Sequence, residues 1–383
     1  MKKIVVAIDS FKGSLSTFEA GRAIEEAAKE VYKNAEVKIS PIADGGEGTV
    51  EAIISATNGE LVKTVVCNPL GRKIEATYGF IPHTKTAIIE MSAAAGITLI
   101  SESERNPFNT TTYGVGELIL DAISKGSRRF IIGIGGSATN DGGIGMLQAL
   151  GFEFLDKNGE QVSTGAKGLK DIAVIKTKNA TKELKECSFC VACDVKNVLC
   201  GDDGCSAIYG PQKGATPEMI REMDLWLENY ANLTKEVIPN SDKNIPGTGA
   251  AGGMGFALLS YLNATLVSGI ELVMKETDLE SHIKGADLVI TGEGRLDGQS
   301  YMGKAPIGVA KLAKKHNKPV IAFSGCVTDD AIICNEHGID AFFPIVRKPC
   351  TLEEAMNVDN AYKNLKDTAC QVFRLINANI SGD

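Results

Sequence analysis
The chain has 383 residues, 44% of them hydrophobic and 23% charged, the make-up of an ordinary globular protein, which sets disordered and low-complexity architectures aside. Forty Lys and Arg against 48 Asp and Glu leave a net charge of −8, which disfavours nonspecific attraction to nucleic acid or to an anionic membrane surface. No run of about 18 apolar residues exists to span a bilayer, and the length implies roughly two to three domains.

The N-terminus carries two lysines and a short apolar run, but Asp9 interrupts it and no small-residue cleavage site follows, so it reads as a strand and implies a cytoplasmic protein. That strand feeds the loop Asp9-Ser10-Phe11-Lys12-Gly13-Ser14. The capping box Ser16-Thr17-Phe18-Glu19 then announces a helix with Ala20, Ala23, Ile24, Ala27 and Val31 on one face. Val37-Lys38-Ile39 is a second strand, from which Ala43-Asp44-Gly45-Gly46-Glu47-Gly48 leads into a helix beginning near Gly48. Residues 61–66, 74–80 and 86–90 offer three strands in succession, a mixed or antiparallel signal.

Phe130-Ile131-Ile132 is the next apolar run, and directly behind it lies Gly133-Ile134-Gly135-Gly136-Ser137-Ala138-Thr139-Asn140-Asp141-Gly142-Gly143. Five glycines, two hydroxyls and a carboxylate there read as a site for anions. The glycines let backbone amides approach phosphate oxygens, the helix opening near Gly142 offers its positive end, and Asp141 is placed to hold a metal. The structural alternative is a tight corner in which Asp141 or Asn140 caps the helix.

Ten cysteines include the spacing Cys187, Cys190, Cys193, but on a buried strand Cys190 points opposite to its neighbours. The expectation is small buried hydrophobes rather than a metal cluster. Gly247-Thr248-Gly249-Ala250-Ala251-Gly252 satisfies G-x-G-x-x-G without a strand before it, so a dinucleotide fingerprint there is weak.

Toward the C-terminus the α/β alternation returns. Leu288-Val289-Ile290 runs into the loop Gly292-Glu293-Gly294-Arg295-Leu296-Asp297, followed by a helix with Pro306 in its first turn. Residues 298–305 nearly match a P-loop, but Ala305 replaces the hydroxyl that binds magnesium; Lys304 still sits at a helix N-terminus, where phosphate is welcome. Residues 320–323 and 341–343 continue the strands, and the capping box Thr351-Leu352-Glu353-Glu354 opens one long closing helix. Four scattered histidines and the absence of a G-x-S-x-G elbow make triad hydrolysis improbable, whereas carboxylates, cations and glycines are the parts of phosphoryl transfer.

The predicted fold class is α/β with two α/β domains: a discontinuous Rossmann- or flavodoxin-like parallel-sheet domain, 1–76 and 285–383, with a second, mixed-sheet α/β domain, 77–284, inserted. Ligands then bind at the carboxyl ends of the parallel strands.

Taken in order, these loops resemble the glycerate kinases of the bacterial type. The likeness covers nearly the whole chain, adding Cys193-Asp194-Val195 and Gly210-Pro211-Gln212-Lys213-Gly214-Ala215 to the segments above. Asn197-Val198-Leu199 departs from the family's Asn-Pro-Leu, and Thr248 stands where Ala or Gly is usual; neither removes a charged group. The resemblance implies ATP and Mg2+ as co-substrates and D-glycerate as acceptor, with 2-phosphoglycerate as product, and a monomer or homodimer without nucleic-acid or membrane partners.

On this reading Lys12 and Arg295 clamp anionic groups, and Asp9, Ser10 and Asp297 join them around the substrate. Asp194 or Asp44 is the candidate base; Glu47, Asp141 and Glu293 compete for magnesium. Gly135, Gly136, Ser137, Thr139, Gly142 and Lys304 are expected to cradle the nucleotide phosphates. A kinase for another small hydroxy acid, 3-phosphoglycerate as product, and a non-enzymatic nucleotide or glycerate sensor remain as alternatives.

Overall fold
The computed structural model describes residues 3–379. Thirteen strands lie among them: β1 Lys3–Val6, β2 Glu36–Ile39, β3 Glu60–Cys67, β4 Lys73–Ile81, β5 Thr86–Glu90, β6 Arg129–Gly133, β7 Glu153–Leu155, β8 Val174–Lys176, β9 Ser188–Ala192, β10 Thr265–Val267, β11 Leu288–Leu296, β12 Val320–Val327 and β13 Ala341–Pro344. The chain falls into two compact units. The first comprises the residues up to Asp44, Glu51–Thr57 and those from Ile270 onward; the second comprises Gly45–Val50 and Asn58–Gly269.

In the first unit five strands form one sheet in the order β2-β1-β11-β12-β13, every neighbouring pair parallel. Counted along this unit the order is that of a flavodoxin-like doubly wound sheet, with its topological switch between β1 and β11. Strand alternation sorts the core into two layers. Ile4, Val6 and Ile290 pack with Ala20, Ile24 and Phe373 on one face. On the other, Val5 and Val289 pack with Leu279, Ile283 and Val309. The first helix, Thr17–Val31, begins with the expected capping box, Ser16 Oγ accepting the Glu19 amide at 3.2 Å while Glu19 accepts the Ser16 amide at 2.8 Å.

The second unit holds a six-stranded sheet in the order β10-β9-β6-β5-β4-β3 and a two-stranded β7-β8 ribbon. β10, β9, β6 and β5 are parallel, while β4 and β3 run antiparallel as a hairpin on the edge, the mixed signal visible in the sequence. Its core gathers Tyr78, Phe130, Ile132, Phe154, Tyr230 and Phe256.

Three expectations shift. Residues 58–76 belong with the second unit, not the first, because β3 pairs with β4 along its whole length, from Glu60↔Phe80 to Cys67↔Lys73. The segment from Ile270 to 284 joins the first unit, since Ile270, Leu279 and Ile283 pack on the β1–β11 sheet. The segment Gly292-Glu293-Gly294-Arg295-Leu296, expected as a loop, continues β11 because β12 offers backbone partners as far as Leu296↔Val327.

The closing helix is two helices, Leu352–Met356 and Val358–Asn379, broken at Asn357, whose backbone is extended and whose Oδ1 accepts the Asn360 amide at 3.1 Å. The longer one docks on Thr17–Val31 through Phe373, which is fully buried, meets the Tyr32 ring edge-on at 6.1 Å and whose carbonyl accepts the Tyr32 hydroxyl at 2.9 Å. Phe373→Ala is expected to cost about 3–5 kcal/mol. A lowered melting temperature in a thermal scan checks this, and an unchanged one refutes the packing role.

Candidate active site
The first unit places a cavity of about 490 Å3 at the carboxyl end of its sheet. Backbone pairing builds its floor. Beyond the regular ladder, the Ala7 amide donates to Ile290 O at 2.8 Å and the Asp9 amide to Gly292 O at 3.0 Å, so Asp9 stands beside the middle of β11 and close to Glu293. After Asp9 the chain turns tightly. Phe11 and Leu15 are buried anchors, the Phe11 amide donates to Leu15 O at 2.8 Å, and Gly13 at φ +79° makes the turn that carries Lys12 outward.

Four carboxylates and three cations line this cavity: Asp9, Asp44, Glu293 and Asp297 with Lys12, Arg295 and Lys304. Lys12 Nζ lies 3.3 Å from Asp44 Oδ2. Lys304 Nζ lies 3.7 Å from Glu293 and 3.4 Å from Asp297, and Arg295 Nε lies 3.4 Å from Asp297. Ser300 Oγ donates to Glu293 at 2.6 Å. Lys12 and Arg295 remain 64% and 65% exposed, so their free N–H groups can meet an incoming anion.

Crowding sets the protonation of this group. Asp9 is only 6% exposed; burial first, then the negative charge of Asp44, pushes its carboxyl up to about 7, against the Ser10 amide and Lys12. Burial also raises Glu293, with Ser300 and Lys304 opposing. Lys12 is held above its ordinary value: burial opposes, but Asp44 and Asp9 outweigh it. For Asp297 burial is likewise outweighed, and the Gln299 amide and Lys304 keep the carboxyl low. Asp9 thus carries a carboxyl pushed up toward neutrality, a property that its sequence context did not reveal.

In the second unit the expected residues gather at the carboxyl ends of β5, β6, β9 and β10, but with different accessibility. Gly135 and Gly136 are exposed, whereas Ser137, Thr139 and Gly142 are buried. Gly133 is needed for close approach, since a Cβ there would fall on the Gly45 carbonyl oxygen. Glu47 is exposed in the same Gly45–Val50 segment. Asp194, also exposed, accepts the Gly269 amide at 3.1 Å.

Asp141 takes the capping role, not that of an open ligand. It is fully buried and accepts the Thr112 amide at 2.8 Å, the Thr112 hydroxyl at 2.9 Å, and the Gly143 and Gly145 amides at 3.1 and 3.4 Å. Both oxygens are therefore engaged. The Gly142 amide donates to Gly252 O at 2.9 Å, which removes the helix opening expected to face phosphate. The Gly247–Gly252 motif serves that packing: Gly252 has φ +69°, and a Cβ on it would strike Thr139 O.

One group escaped the sequence reading. Lys213, 2% exposed, donates to Ser137 Oγ at 2.9 Å and to Thr139 O at 2.6 Å, propping the glycine-rich loop from beneath; burial lowers its ammonium to about 8. Its setting in the polar, turn-forming stretch Gly210-Pro211-Gln212-Lys213-Gly214 gave no hint of burial. Among the described residues no group of three or more His, Cys, Asp or Glu is placed to hold a metal by itself, and the ten cysteines are free. No described helix is long and apolar enough to cross a membrane.

A doubly wound α/β unit with acids and cations at its switch point, joined in one chain to a second α/β unit with a glycine-rich strand end, defines a protein built to handle small anionic ligands. The chain belongs to the glycerate kinase family, whose model matches residues 4–377. It is 48% identical over 379 residues to glycerate 2-kinase of Escherichia coli strain K12, covering 99% of this chain and 98% of that protein. To glycerate kinase of Bacillus subtilis strain 168 it is 46% identical, covering 96% of each. The crystal structure of putative glycerate kinase 2 from Salmonella typhimurium LT2 superposes with a TM-score of 0.89 at 46% identity, covering 99% of both chains.

Asp141→Ala strands four buried donors and is expected to lower stability by at least about 2 kcal/mol. Thermal scans and a magnesium titration of activity check it together. A normal melting temperature with a raised magnesium requirement would restore Asp141 as a metal ligand.

Proposed function
We propose that this chain transfers the γ-phosphate of ATP to a hydroxyl of D-glycerate, giving 2-phosphoglycerate and ADP. The observation that carries the reading is the meeting of a near-neutral buried carboxylate, Asp9, with the exposed cations Lys12 and Arg295 in one cavity. Glycerate brings a carboxylate and hydroxyls, and such a substrate needs both a clamp and a proton acceptor.

Arg295 holds the substrate carboxylate through its planar fork, with Asp297 orienting the guanidinium. Asp9 takes the proton of the attacking hydroxyl; a base with a value near 7 is suited to that task at neutral pH, which favours it over Asp44, neutralised by Lys12, and over Asp194. Lys12 and Lys304 face the transferring phosphoryl group, where charge spreads over its oxygens. Glu293 would hold the Mg2+ of MgATP; one or two carboxylates plus phosphates suffice for this ion, and the mutual repulsion of Asp9, Asp44 and Glu293 favours a cation among them. When bound, the metal neutralises phosphate charge. The enzyme works in the cytoplasm, as a monomer or homodimer.

Purified protein with MgATP is expected to release ADP in the presence of D-glycerate and not of L-glycerate, with phosphorus NMR identifying the 2-phosphate. Turnover with a different hydroxy acid alone would overturn the substrate assignment.

Asp9→Asn is expected to lower kcat by about 100-fold or more. Since Asp9 acts deprotonated, wild-type kcat/KM should rise with pH through about 7 and the variant's should not. The folded state binds the Asp9 proton more tightly than the unfolded chain does. Stability is therefore lost as pH climbs from the ordinary carboxyl range toward 7, and above 7 the variant should melt no lower than wild type. A comparable loss in Asp194→Asn with Asp9→Asn active would move the base to Asp194.

A further inference from the structure
The polar half of the cavity accounts for glycerate and phosphate, but not for the other half. Ile345, Val346, Leu352, Ala355 and Met356 form a continuous aliphatic wall along it. Three of these stand out at the surface: Leu352 is 77% exposed, Val346 38% and Met356 37%. No packing within the fold requires a leucine to face water on the short helix Leu352–Met356, which is fixed in place by its own capping box, Thr351 Oγ1 accepting the Glu354 amide at 3.2 Å. Clustered exposed apolar side chains at the rim of a cavity are the mark of a ligand face.

A three-carbon acid with two hydroxyls has nothing to bury against five aliphatic side chains. A planar, weakly solvated ring does. The cavity runs without a break from this wall to Lys12, Lys304 and Arg295, so a ligand with an apolar ring at one end and several negative charges at the other matches both halves.

We propose that the aliphatic wall formed by Ile345, Val346, Leu352, Ala355 and Met356 is the nucleobase subsite, seating the purine ring of ATP in the first unit while its phosphates reach toward Lys12 and Lys304. This deepens the kinase reading and rests on it for the identity of the nucleotide. It relocates nucleotide recognition from the glycine-rich loop of the second unit, where Ser137, Thr139 and Gly142 are buried, to a wall that no glycine motif announces. Asn364, which also lines the cavity, is the one side-chain amide among its described lining residues and supplies donors and an acceptor for the ring's edge.

The test is calorimetric titration of the full chain with MgATP and, separately, with magnesium tripolyphosphate. Wild type should prefer ATP by about 10-fold or more, the worth of roughly 1.4 kcal/mol of base contact. Leu352→Asp, at a site open to water, and Ala355→Trp, which fills the wall, should each erase most of that preference. The KM for D-glycerate should stay within about twofold. Leu225→Asp, at a leucine 69% exposed in the second unit, is the control and should bind as wild type does.

Unchanged ATP affinity in both wall variants, or equal wild-type affinity for ATP and tripolyphosphate, would overturn the subsite. Because binding is read without turnover, a protein that binds ATP at this wall but ignores D-glycerate would overturn the substrate reading and leave the subsite standing.

Discussion

Everything at the candidate site depends on the parallel pairing of β1 with β11, strands that lie toward opposite ends of the chain. Ile4↔Leu288, Val5↔Val289 and Val6↔Ile290 close the discontinuous unit, and the ladder runs on through the Ala7 and Asp9 amides. At this point the strand order reverses, so the segments after β1 and along β11 diverge and leave a cavity where neighbouring strands of a simple progression would not. Loop closure over so long an insertion costs entropy only logarithmically, whereas the fully buried Ile4, Val5, Val6, Val289 and Ile290 repay it through apolar burial.

The same pairing brings like charges together. Asp9 and Glu293 are neighbours because their strands are, and Asp44 follows from β2 on the other side of β1. Such crowding is unfavourable in itself, and Lys12 and Lys304 relieve only part of it. Burial first, and then this crowding, leave a carboxyl at Asp9 that holds its proton to about 7. A fold tuned for stability alone would not keep this arrangement; the proposed proton acceptor, which must act near neutrality, would need it.

Much of the fold was legible in the sequence because its signals are local. The capping boxes at Ser16 and Thr351, the apolar runs of β1, β6 and β11, and the three consecutive strands of residues 60–90 are set by neighbours in the chain. What escaped depends on distant partners. Gly292 to Leu296 carries glycines that favour a loop, and only β12 makes it a strand. The edge hairpin decided the unit boundary. At the candidate site, sequence order singled out the loops but not their accessibility. Asp141 looks like a metal ligand until Thr112 and the amides of Gly143 and Gly145 are seen to occupy it. Lys213 stands in the sequence only as one residue of a family-like segment, and its place under the glycine-rich loop depends on Ser137 and Thr139. Burial of a polar group is a tertiary property, and residue type alone does not encode it.

In the proposed reaction the acceptor's hydroxyl meets Asp9 in the first unit. A crystal structure with D-glycerate and a non-hydrolysable ATP analogue with magnesium tests it most directly. The glycerate carboxylate is expected on Arg295, with a hydroxyl within hydrogen-bond distance of Asp9. Glycerate ordered instead at Asp194, with Asp9 touching no ligand, would contradict it.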